Sequence, residues 1–147
     1  MTHPNATGRV VTGADIAHAA EALVGCPFRL HGRDPQTGLD CIGLLQAVFR
    51  AIGIKADLPS GYSLRTSRWP GLGLFASDLG FDLIEGGIEP GDVCLFQPSP
   101  AQLHFAVAAS GRDRFVEAHA GLRRVVISPG PYPHALLRQW RLIAPEN

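Results

Sequence analysis

The hydrophobic period of this chain changes partway along it, and that change sets the fold class before any motif is considered. From Cys41, the apolar residues Leu44, Leu45, Val48, Phe49 and Ile52 recur at i+3, i+4, i+7, i+8 and i+11. That spacing is the stripe of one amphipathic helix. From residue 93 the pattern shortens. The segments VCLFQ (93–97), LHFAVAA (103–109), RFVEAH (114–119), RRVVIS (123–128) and LRQWRLI (137–143) are separated by Gly and polar turns and read as strands. Helices followed by a run of strands predict an α+β domain, with the helices packed on one face of a central antiparallel sheet of about five strands.

Local signals place the helix ends. Thr12 caps a first helix, with Asp15 three residues on and Ile16, Ala19, Ala20 and Leu23 as its apolar face before Gly25. Asp40 caps the second helix and Gly53 stops it. The segment CPFRLHGRDPQTG (26–38) reads as a loop, and 54–90 as a long irregular stretch with a short helix around Leu74–Leu79. Residues 1–11 read as a flexible tail on a single domain spanning 1–147.

Composition removes several function classes. The chain is 46% hydrophobic and 18% charged with a formal net charge of +0, so it is neither a disordered chain nor a phosphate-tracking nucleic-acid binder. No apolar run reaches membrane-spanning length, and the first residues lack the basic-then-apolar order of a secretory leader. The expectation is a soluble chain made in the cytoplasm, with no membrane insertion. Three cysteines, Cys26, Cys41 and Cys94, make an odd number without framework spacing, so no disulfide scaffold is expected. HExxH, CxxC and paired Cys/His clusters are absent, so no metal or other cofactor is expected. Cys94 reads as core, Cys26 as a flank of the cleft, and Asp92 in EPGD as a turn residue.

Cys41 has two readings from the helix alone. It heads the apolar stripe, where a free cysteine packs well as a small hydrophobe. It also occupies the first turn, whose N–H groups and macrodipole favour a thiolate and would sit near a developing oxyanion. A nucleophile needs a base. His3, His18 and His134 read as solvated or structural, and His31 lies in the loop just before the cysteine. His104 shares a strand face with Ala106 and Ala108, small residues that predict close approach of a helix to that face. On the next strand Glu117 and His119 share one face, and either side chain is suited to orient the His104 ring.

Four motifs in one order then carry a resemblance. GCPFRLHGRDPQTGLDCIGL resembles the G-x-P-Y-x-x-G-G … D-C-S-G-L signature of the NlpC-type cell-wall endopeptidases. EPGDVCLF, LHFAV and RFVEAH resemble that family's P-G-D, H-V-G-I and F-I-H-A strands. The resemblance runs from about Ile16 to Ile143, and its compact form is most similar to the branch encoded with phage and gene-transfer-agent tails.

The resemblance implies a papain-like fold and cleavage of a peptidoglycan stem-peptide bond, commonly D-glutamate–diaminopimelate, through a thioester. It implies Cys41 as nucleophile and His104 as base, with Glu117 aligned to the third position and His119 as its alternative. Phe28 stands where the family has tyrosine, His31 where it has the first glycine of the pair, and Ile42 where it has serine. Phe28, His31 and Asp40 are the candidates for lining the cleft. The implied partners are the peptidoglycan peptide and tail or hub proteins of a phage-like particle acting at the cell wall. The alternatives are a structural tail or adaptor subunit without activity, and acyl transfer to an acceptor other than water.

Overall fold

The structure is a computed structural model that describes residues 10–54, 58 and 79–143. The expected helix around 74–79 and most of the expected tail lie outside the described residues. Leu79 sits buried in a turn, and Val11 is packed into the core.

Helix α1 spans Gly13–Glu21 and opens with a reciprocal capping box, in which Thr12 and Asp15 each satisfy the other's backbone N–H. Its Ile16, Ala17 and Ala20 are buried, and its C-terminal Glu21 accepts hydrogen bonds from the backbone and hydroxyl of Ser110. Helix α2 spans Cys41–Ala51. Of the predicted stripe, Cys41, Leu44, Leu45, Val48 and Phe49 are buried and Ile52 partly so; Ile42, Gly43 and Ala47 off the stripe are buried as well.

Between the helices, the expected loop folds into a short hairpin of strands β1 (Arg33–Asp34) and β2 (Gly38–Leu39). The hairpin presses onto the start of α2. A Cβ on Gly43 would run into the carbonyl oxygen of Gly32, so the hairpin backbone comes this close to α2 only because residue 43 is glycine.

The second half forms a six-stranded antiparallel sheet in the order β3-β8-β4-β5-β6-β7. Its strands are β3 (Phe81–Leu83), β4 (Val93–Ser99), β5 (Gln102–Ala108), β6 (Arg114–His119), β7 (Arg124–Pro129) and β8 (Ala135–Leu142). Strands β4 to β7 make the expected meander. The last strand does not extend it: β8 crosses back to pair with β4, and β3, from the stretch expected to be irregular, pairs with β8. Buried Asp92 ties this edge together, accepting from Gln139, from both Arg141 Nε and Nη2, and from the Glu89 backbone.

The two sheet faces have different covers. Val93, Leu95, Phe105, Val107, Val116 and Ala118 join the main core with α1 and α2. Cys94, Phe96, Ala106, Ala108 and Phe115 form a second cluster, closed by Tyr132. This corrects the expected docking face. The helices cover the Phe105 and Val107 side, and the small residues Ala106 and Ala108 make room for aromatic rings instead.

Candidate active site

Cys41 is placed by its helix. Asp40 takes the N-cap in extended conformation and its Oδ1 accepts from Gly43 N at 2.8 Å, while Oδ2 accepts from His31 N at 2.7 Å. The cap fixes where α2 begins and so where its first side chain points. Cys41 lies 1% exposed at the floor of a cleft of about 230 Å³, lined by Phe28, His104, Glu117, His119, Tyr132 and His134 among others.

His104 reaches the sulfur from the opposite face of the sheet. It pairs with Phe96 across β4–β5, which puts it on the aromatic-covered side. The β5–β6 ladder holds only Val107–Val116 and Ala108–Phe115, so it ends before the height of His104 and Glu117. β6 continues paired to β7 through His119. At this parting of β5 and β6 the head of α2 meets side chains from the far face.

Three groups are joined there. His104 and Cys41 line the same cleft and interact electrostatically, and His104 Nε2 lies 3.0 Å from Glu117 Oε1. With Nε2 engaged by Glu117, the sulfur falls to Nδ1. The Tyr132 hydroxyl donates to the same Glu117 oxygen at 2.6 Å, and Ser128 also favours the charged carboxylate.

These contacts decide the charges. Burial alone pulls the His104 imidazole down, but its bonds and charges with Cys41 and Glu117 outweigh that and hold it raised, at about 9. Burial would likewise raise Glu117, yet hydrogen bonds from His104, Ser128 and Tyr132 prevail and lower it to about 2. An imidazolium paired to a carboxylate therefore persists across neutral pH. The Tyr132 hydroxyl is pushed upward by burial and by Glu117, and stays a donor. Cys94 is pushed up to about 12 by burial and by Asp92, which suits an inert core thiol.

The other candidates are distributed as follows. His119 lines the cleft, but its Nδ1 accepts from Leu122 N at 3.0 Å while Glu117 meets His104. Phe28 lines the cleft, held by its backbone bond to Arg123. His31 and Asp40 do not line it. Asp40 is fully buried beneath the helix start, and His31 is exposed in a left-handed turn. Cys26 is partly buried against the main core.

Tyr132 is the residue that sequence reasoning missed. It sits in the turn SPGPYPHA, where prolines erase any period that would assign it a face. Its one signal was a hydroxyl-bearing aromatic near strands that carry the candidate site.

A cysteine sulfur at a helix start, an imidazole bonded to a carboxylate in the same cleft, and the N–H donors of the helix's first turn make an arrangement suited to acyl chemistry. Among the described residues no group of three or more His, Cys, Asp or Glu could hold a metal ion, and no helix is long and apolar enough to cross a membrane.

The chain is similar in fold to several solved structures. NlpC1 from Trichomonas vaginalis superposes with a TM-score of 0.66 at 24% identity, covering 88% of this chain and 44% of that one. NlpC2 from the same organism gives 0.65 at 22% identity, covering 90% and 47%. The chain thus spans less than half the length of either. The NlpC/p60 domain of the peptidoglycan hydrolase SagA gives 0.58 at 24% identity, covering 88% of this chain and 97% of that domain. No curated protein matches the chain. The sequence profile of the NlpC/P60 family matches residues 25–140, from the loop before Cys41 to the last strand, and the chain belongs to that family.

Proposed function

We propose that this chain is a cysteine endopeptidase of cell-wall peptide. The observation that carries the proposal is the gathering of Cys41, His104 and Glu117 in one cleft, where His104 Nε2 lies 3.0 Å from Glu117 Oε1. Membership in a family that generally consists of cell-wall peptidases supports the substrate class.

In this reading each residue takes one step. Cys41 Sγ attacks the scissile amide carbon, and the carbonyl oxygen gathers charge beside the Cys41 backbone N–H at the start of α2. His104 gives the proton on Nδ1 to the leaving nitrogen as the C–N bond breaks, leaving a thioester on sulfur. Water then attacks the thioester carbon, His104 takes its proton, and the acid leaves as the thiolate departs. Glu117 keeps Nε2 hydrogen bonded throughout, which holds the ring plane and stabilises the charged imidazolium.

Within that class we propose the D-glutamate–diaminopimelate bond of the stem peptide, and a place in a phage-like or gene-transfer-agent tail. The first finer point rests on family resemblance and the second on likeness to the tail branch. Mass spectrometry of fragments released from sacculi tests the bond: new termini at D-glutamate and diaminopimelate are expected, and termini elsewhere contradict it. Detection of the chain in purified particles tests the tail assignment, and its absence from them contradicts it.

A further inference from the structure

The steps above make no use of Tyr132, although its hydroxyl makes the shortest side-chain hydrogen bond at the site. It donates to Glu117 Oε1 at 2.6 Å, and that same oxygen accepts from His104 Nε2 at 3.0 Å. Two donors on one oxygen share its charge, so the hydroxyl governs how much of the carboxylate's field the imidazole receives.

The ring is held without help from the hydroxyl. It stacks on Phe96 at 4.0 Å and 23°, and meets Phe115 edge-on at 5.4 Å and 75°. A phenylalanine would fill the same space. The oxygen adds something other than packing: a fixed donor aimed at the carboxylate that orients the base.

Resting on the peptidase reading, we propose that Tyr132 is a positioning residue, which acts through Glu117 Oε1 to fix the plane and the proton affinity of the His104 imidazole. Loss of the hydroxyl leaves the whole charge of Oε1 to His104. The imidazolium is then held more tightly, and the carboxylate loses one of the donors that fix its plane. Turnover falls, and the pH at which His104 loses its proton rises.

The test is Tyr132→Phe in the full chain, with two readouts. The first is kcat, KM and the pH profile for release of peptide from peptidoglycan. The second is the pH dependence of Cys41 alkylation by iodoacetamide, followed on the Cys41 peptide by mass spectrometry, which needs no substrate. We expect kcat about tenfold lower with KM little changed, as for loss of one hydrogen bond to a charged group. The alkaline limb of the profile and the upper step of alkylation both move to higher pH. A Tyr132→Phe protein that melts lower but keeps both profiles in place overturns the proposal, because its hydroxyl is then only structural. If wild type releases no peptide but the alkylation step still moves, the positioning role stands and the peptidase reading fails. If wild type cleaves and the step stays, the reverse holds.

Discussion

His104 Nε2 and Glu117 Oε1 lie 3.0 Å apart on neighbouring strands whose ladder has already ended below them. Where β5 and β6 part, the His104 ring of the aromatic-covered face approaches a cysteine that belongs to the helical face, with Glu117 bonded to the ring behind it. Without that parting, the sheet would stand between nucleophile and base.

This pair makes stability depend on pH in a defined window. His104 is raised from 6.5 to about 9, so its contribution is complete below 6.5 and lost as pH climbs through 9. Glu117 is lowered from 4.5 to about 2, so its contribution is complete above 4.5 and lost as pH falls through 2. Both are complete only between pH 4.5 and 6.5. The melting-temperature advantage of wild type over Glu117→Gln should be greatest there and shrink on either side. An advantage independent of pH would contradict the ion pair.

Glu117 and His119 are separable by substitution. Glu117→Gln keeps the shape but removes the charge facing His104, and should lower kcat by at least about tenfold. His119→Ala removes a ring bonded to Leu122 N and should lower kcat far less. The opposite ranking in steady-state kinetics would move the orienting role to His119.

How far the sequence reveals this site depends on what periodicity can encode. Periodicity places Cys41 at a helix start and His104 and Glu117 on strand faces, but by itself it favours a packed thiol and a solvent-facing carboxylate; their candidate roles come from the order of motifs. Alternation says which residues share a face, not which partner covers it. Ala106 and Ala108 therefore suggest a docked helix, whereas Phe96, Phe115 and Tyr132 occupy that space. The crossing of β8 to β4 is equally silent, because pairing partners far apart in sequence leave no local mark. Tyr132 lies in a turn with no period at all.

The start of α2 should be sensitive to a single methyl group. Gly43→Ala sets a Cβ against the Gly32 carbonyl oxygen, backbone that cannot swing aside as a side chain does. A loss of about 2 kcal/mol or more in urea unfolding is expected, as for other overpacked sites, together with slower alkylation of Cys41. A neutral Gly43→Ala would show that the hairpin yields easily.

Far from the cleft, Asp92→Ala should destabilise the fold by roughly 2 kcal/mol, since it removes the buried acceptor of Gln139 and Arg141 and leaves them only Gly87 and Glu89. Its effect on kcat should be small. Denaturant midpoints with parallel kinetics distinguish this from a role in the site, which a large fall in kcat at unchanged stability would indicate.

The most direct measurement is digestion of purified peptidoglycan sacculi by wild type and by Cys41→Ala, with soluble peptides quantified over time. Wild type should release fragments and Cys41→Ala should release none above background. Equal release by both proteins, or none by a folded wild type, would contradict the assignment of Cys41 as the nucleophile of a cell-wall peptidase.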